Sequence, residues 1–260
     1  MKDITFIIPV HDEITIGMLQ NALNNINSLE NVDGCNIMTL VVKPTTLQIP
    51  EDVKCDANTT IIDNDGATDY CSQINFAAKH VNTEYFAILE VDDTYNKKWV
   101  KMWNEYLDTH ENVSVFLPIT VVHRANSKEY EFVNDIVWAS SFSSELGFID
   151  FECLQNCASF NLTGGVFKTS DWLGYKPSIK VAFNYEYLLR ATNNNQLVYV
   201  VPKEGYHHEL FREGSLIEQY VKEISEDETA KWFELAKREY TYEEDRNKTI
   251  TSDKAEDEMK

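Results

Sequence analysis

Apolar and polar positions along the chain change period several times, and each change marks an element. Ile4, Phe6, Ile7 and Ile8 make a β-branched and aromatic run closed by Pro9, which predicts a buried strand running into a loop with His11, Asp12 and Glu13. Ile14, Met18, Ala22 and Ile26 follow at spacings of four, with Leu19 and Leu23 beside them, and predict a helix with one apolar face. Residues 36–42 and 59–62 are strand-like, the second closed by the turn chemistry of Asp63-Asn64-Asp65-Gly66. Cys71, Ile74, Ala78 and Val81 place another helix ahead of an apolar strand over 85–91. Strand, helix, strand, loop, strand, helix, strand is the order of a parallel α/β sheet, whose post-strand loops gather on one edge.

Further on, the pattern predicts a helix over 97–110 with Val100, Trp103 and Leu107 inward, and one strand or two over 113–122, divided at Pro118. A helix over 185–191, a strand over 197–201 and helices over 216–224 and 229–240 complete the reading. Residues 124–160 are irregular and aromatic, with Trp138, Phe142, Phe148 and Phe151. Such a stretch inside a compact domain is uncommon unless it binds something, although core filling is the default role for these rings.

With 43% apolar and 25% charged residues among 260, the chain has a globular balance and enough length for one large core. The expected organisation is a main domain over 1–215, a helical segment over 216–242 and a disordered charged tail over 243–260. A net charge of −20 argues against a sequence-blind grip on nucleic acid or anionic lipid. No apolar stretch approaches the roughly 20 residues that span a bilayer, so no transmembrane segment is expected and a cytoplasmic location is. The odd count of five cysteines points to reduced thiols.

The apolar strand over 85–91 ends in Glu90, Asp92 and Asp93. A helix cap needs one carboxylate, whereas three converge here. Hard oxygen ligands at the carboxyl end of a buried parallel strand suit a divalent cation held over a diphosphate. No Gly-x-Gly-x-x-Gly, Walker-type loop or Gly-x-Ser-x-Gly elbow is present, which removes dinucleotide oxidoreductase, P-loop and α/β-hydrolase readings.

Several segments in order resemble the family 2 glycosyltransferases of the GT-A fold. Residues 5–13 are similar to the family's opening strand with its Pro-x-x-Asn-Glu ending. Residues 87–93 resemble its Asp-x-Asp-Asp metal segment, with Glu90 in place of the first Asp. Gly164-Gly165-Val166-Phe167-Lys168 is similar to the small-residue turn on the acceptor side, residues 184–190 to the late helix that presents the base, and residues 207–216 to the distal His-containing segment.

The resemblance implies an α/β, Rossmann-like, mostly parallel sheet flanked by helices, with C-terminal helices. It implies a metal-dependent, inverting transfer of a sugar from a nucleotide-diphosphate donor to a glycan or other hydroxyl acceptor. Mn²⁺ or Mg²⁺ would be held by Asp92 and Asp93, with Glu90, His207 and His208 as further ligands. Pro9, His11, Glu13 and Asp65 would lie at the nucleotide, Asp92 and Arg212 at its phosphates. Counting back from Arg190, the family's Glu-Asp pair falls on Phe183 and Asn184. An amide cannot act as a base, and Glu186 is the nearest substitute. After the second strand stands Lys43-Pro44-Thr45-Thr46, where the family carries an acidic stretch. These departures sustain an alternative: a GT-A-shaped module without turnover that binds a nucleotide, glycan or protein partner. A nucleotidyltransferase is a third reading.

Overall fold

The computed structural model describes residues 2–240 apart from 125, 126, 144, 180, 216, 217, 220, 221, 223, 224, 226 and 239. The expected tail over 243–260 lies outside the described residues, as does most of the helix expected over 216–224.

In chain order the elements are β1 (Ile4–Pro9), α1 (Glu13–Asn27), β2 (Ile37–Pro44), β3 (Thr59–Asn64), α2 (Tyr70–Ala78), β4 (Tyr85–Ile88), β5 (Thr94–Tyr95) and α3 (Trp99–Leu107). They continue with β6 (Val113–Arg124), β7 (Tyr130–Val133), β8 (Phe148–Ile149), α4 (Phe151–Asn156), β9 (Val166–Lys168), α5 (Phe183–Asn193) and β10 (Leu197–Leu210). A further helical stretch covers 227–238.

The ten strands form one sheet in the order β3-β2-β1-β4-β9-β6-β10-β5, with β7 beside β6 and β8 beside β10. β1, β2, β3 and β4 are mutually parallel. β9 pairs antiparallel with both β4 and β6, so β6 and its parallel neighbour β10 run with the first four. The carboxyl ends of β1 and β4 therefore share an edge with the far end of β10, and the site forms there.

Burial on both faces explains why these strands read as continuous apolar runs. Phe6 and Ile8 pack with Leu19, Leu23, Trp99 and Trp103 on the side of α1 and α3. Ile7 packs with Ile74, Ile88, Phe167 and Leu188 on the side of α2 and α5. Trp99 and Trp103 are fully buried, and truncating a core side chain of that size costs about 3–5 kcal/mol. Trp138 and Phe142 pack against the core as partly buried rings.

Some expected boundaries move. Pro118 does not divide β6, which runs unbroken. β10 continues past Val201 to Leu210, so His207 and His208 lie in a strand rather than in a following loop. The apolar face of α1 is rotated: Ile16 is buried and Ile14 is 48% exposed. The short antiparallel strands β5, β7, β8 and β9 have no periodicity to announce them, because two to four residues define no period.

Candidate active site

A cleft of about 250 Å³ opens at the carboxyl edge of the sheet. One wall comes from the end of β1 (Pro9, His11), the segment after β4 (Glu90, Val91, Asp92) and the end of β10 (His208, Glu209, Leu210). The other comes from Asn161 and Thr163 ahead of β9 and from Val181, Phe183 and Asn184 at the start of α5. Thr163 leads into Gly164, whose φ is +80° and where a Cβ would run into the Tyr206 ring. Only glycine lets the loop pass that close to β10.

The acidic residues after β4 divide their work. Glu90, Asp93 and His208 each offer a ligand atom, all within 4.8 Å of one another. Asp93 is 3% exposed, accepting from His208 Nδ1 at 2.8 Å and from the Glu209 backbone N–H at 2.8 Å. Glu90 accepts from the Tyr70 hydroxyl at 3.2 Å and the Thr163 hydroxyl at 3.3 Å. Burial, reinforced by Asp93, pushes the Glu90 carboxyl up to about 8. Burial opposes a charge on His208, but Asp93 and then Glu90 outweigh it and hold the imidazole up at about 9. The cluster, in which Asp93 is buried and Glu90 and His208 border the cleft, thus keeps protons where a cation would replace them. Two carboxylates and an imidazole are a donor set that fits Mn²⁺, or Mg²⁺ with more of its own water.

Asp92 takes no part in that cluster. Its Oδ2 accepts from Arg212 Nε at 2.8 Å, with side-chain exposures of 12% and 15%. Arg212 also donates to the Glu213 carbonyl. His207, one residue from His208, points to the opposite face of β10: it pairs with Glu204 at 2.9 Å and stacks on His123. The alternation of a strand forbids both histidines from reaching one ion.

At the end of the cleft next to β1, Pro9 and His11 line it. Gln73, fully buried, donates through Nε2 to the Val10 carbonyl and meets His11 Nδ1 at 2.6 Å. Burial lowers the His11 pKa below its ordinary value. Glu13 and Asp65 are exposed and do not line the cleft. Glu13 begins α1, whose N-terminus is closed by a reciprocal capping box between Asp12 and Thr15. Lys43, in place of the acidic stretch, is buried and donates to the Leu47 carbonyl at 2.7 Å while pairing with Asp63.

Asn184 lines the cleft, and among the described residues its buried Oδ1 has no hydrogen-bond partner. Glu186 does not line it. The Glu186 side chain is fully buried, with Arg190 Nε at 3.0 Å and Lys176 Nζ at 3.2 Å, and it accepts from the Tyr240 hydroxyl. Those partners join α5, the loop before it and the C-terminal helical segment. Tyr70, Asn161 and Thr163 are cleft residues that the sequence did not single out. Asn161 and Thr163 sit in an aperiodic stretch, and only their closeness to Gly164-Gly165 could have drawn attention to them.

Comparison with known proteins agrees with this architecture. S. aureus TarS 1–349 in complex with UDP-GlcNAc superposes with a TM-score of 0.60 at 20% identity, covering 84% of this chain and 61% of that one. The mannosyltransferase PcManGT from Pyrobaculum calidifontis, in complex with GDP-Man and Mn²⁺, gives 0.58 at 11% identity, covering 82% and 58%. The chain therefore spans about three fifths of the length of these structures. No curated protein sequence matches it. The family model for glycosyl transferase family 2 matches residues 5–164 of the 260, and the chain belongs to that family.

Proposed function

We propose that this protein moves a sugar from a nucleoside-diphosphate donor to a hydroxyl acceptor, with inversion, and that it depends on a divalent cation. The observation that carries the proposal is the convergence of Glu90, Asp93 and His208 within 4.8 Å at the sheet edge where nucleotides seat in open α/β folds. A bound Mn²⁺ or Mg²⁺ would supply charge neutralisation to the departing diphosphate. The chain's own residues would do the rest. Pro9 and His11 bound the nucleoside end, and Tyr70 and Thr163 fix the Glu90 carboxylate by donating to it. Arg212 stands on the same wall, and its fork would turn from Asp92 to phosphate oxygens. The complexes of TarS with UDP-GlcNAc and of PcManGT with GDP-Man and Mn²⁺ support a donor of this class.

A second reading, a binding module without turnover, is favoured by one observation. Inverting transfer needs a proton acceptor beside the acceptor hydroxyl. On α5 the cleft offers the amide of Asn184, while Glu186 is enclosed by Arg190, Lys176 and Tyr240. A panel of UDP- and GDP-sugars with Mn²⁺, read first by thermal stabilisation and then by release of free nucleoside diphosphate, separates the two. Stabilisation with release marks the enzyme, and stabilisation alone marks the module. Neither effect from any nucleotide sugar would overturn the proposal.

A further inference from the structure

Among the described residues, three helices begin at the cleft: α1 with Thr15, α2 with Tyr70, and α5 with Phe183 and Asn184. Asp12 caps the first and Asp69 the second, each accepting a backbone N–H of the opening turn. α5 starts behind Ala182, which has no side chain to accept with. Its first turn is held in another way.

The hold lies one turn in. Glu186 follows Phe183 by the three-residue step that keeps two side chains on one side of a helix. Its fully buried carboxylate accepts from Arg190 Nη2 at 3.1 Å on α5 itself, faces Lys176 Nζ at 3.2 Å from the preceding segment, and accepts from the Tyr240 hydroxyl of the C-terminal segment. Lys176 Nζ also donates to the Tyr240 oxygen at 3.2 Å, so Glu186, Lys176 and Tyr240 form a closed ring of contacts. Arg190 carries the hold onward by donating to the carbonyls of Leu173 and Gly174. The next residue, Tyr175, is pinned through its backbone by the Asn75 amide at 2.7 and 2.8 Å. Its ring meets Phe183 at 5.1 Å between centroids, Phe183 meets Tyr70 at 5.4 Å, and the Tyr70 hydroxyl donates to Glu90. An unbroken run of contacts thus joins the C-terminal segment to the cleft wall and to a ligand of the proposed metal site.

We propose that Tyr240 is a positioning residue for sugar transfer: acting through Glu186, it holds the first turn of α5, and with it Phe183 and Tyr70, where the reaction needs them. Tyr240 does not line the cleft, so its influence there passes through Glu186. The tertiary ring does for α5 what a capping aspartate does for α1 and α2. Contiguity alone does not establish coupling, and deleting one hydroxyl outside the cleft is the perturbation that separates positioning from general packing. The inference rests on the glycosyl-transfer reading and deepens it.

Two variants of the full chain test it, Tyr240→Phe and Phe233→Leu. Phe233 packs on Tyr185 at 5.7 Å, so its replacement loosens the same helical stretch without touching Glu186. Both are followed by hydrogen exchange and by donor hydrolysis in Mn²⁺ with whichever of UDP-glucose, UDP-GlcNAc and GDP-mannose the wild type cleaves. In Tyr240→Phe, amides over 183–190 should exchange about tenfold faster while those of β1 and β4 are unchanged. Its kcat should fall about tenfold with KM within about twofold, the signature of a group lost from the transition state and not from donor binding. Phe233→Leu should keep kcat within about twofold even where its Tm falls as far. Wild-type exchange and kcat in Tyr240→Phe, or an equal loss of kcat in both variants, would overturn the inference and leave the transfer reading standing. A wild type that cleaves none of the three sugars removes the transfer reading, and this inference with it.

Discussion

The Asp93 carboxylate takes a hydrogen bond from the His208 imidazole at 2.8 Å, joining residues 115 positions apart. That contact ties the segment after β4 to the far end of β10 and completes a candidate three-ligand cluster with Glu90. Asp93 is also held by the Glu209 N–H, so neither of its oxygens is idle.

Replacing one ligand should weaken the ion strongly while leaving the secondary structure in place. For Asp93→Asn and for His208→Ala we expect Mn²⁺ affinity to fall at least a hundredfold by calorimetry, with the far-ultraviolet dichroism unchanged. Asp92→Asn, whose side chain pairs with Arg212 rather than joining the cluster, should lower metal affinity less than tenfold. Equal losses at positions 92 and 93 would sink this division of roles.

Protons and metal compete for the same atoms. The Glu90 pKa is raised from 4.5 to about 8, and that of His208 from 6.5 to about 9. For both groups the native state binds protons more tightly than the unfolded chain. Their contribution to stability is fully present at low pH and is lost as pH rises through the two raised values. Metal-free protein should melt at progressively lower temperature between about pH 6 and 9, while Mn²⁺ affinity rises over the same interval as the ion displaces those protons. Affinity that stays level from pH 6 to 9 would exclude these ligands.

Arg212 is expected to serve the diphosphate. Arg212→Ala should weaken UDP and GDP binding in Mn²⁺ by about tenfold, the scale of a lost charge-assisted hydrogen bond. Binding of Mn²⁺ alone should be unchanged or tighter, because Asp92 is released. Nucleotide titrations with the variant showing wild-type affinity would restrict Arg212 to a structural ion pair.

Glu186 separates two roles by stability. As the buried centre of contacts with Arg190, Lys176 and Tyr240, it should cost about 3 kcal/mol when changed to Gln, because opposing charges lose their partner. Urea unfolding measures this directly. A general base would instead give a fully stable Glu186→Gln protein that binds donor and does not transfer. Tyr240→Phe should lower stability by about 1 kcal/mol, the size of one hydrogen bond.

Much of this arrangement was legible in the residues. The buried strands β1 and β4 announce themselves by unbroken apolar runs, and the acidic tip at Glu90, Asp92 and Asp93 by its abruptness. Glu13 stands exposed outside the cleft lining, and a carboxylate in a helix's first turn looks like one at a ligand in sequence. Asp92 and Asp93 could not be told apart, since their roles depend on Arg212 and His208, distant in the chain. The pairing of Glu186 with Tyr240 and, among the described residues, the unpartnered Asn161 Nδ2 and Asn184 Oδ1 are tertiary facts with no local signal. His207 and His208 are separable only once β10 is known to extend past them.

Anomalous diffraction from crystals grown with Mn²⁺ and UDP or GDP tests the proposed cation site most directly. A single strong peak among Glu90, Asp93 and His208, in contact with diphosphate oxygens and lost in the Asp93→Asn protein, is the expected result. Nucleotide bound in the cleft with no manganese at those side chains, or manganese seated elsewhere, would contradict it.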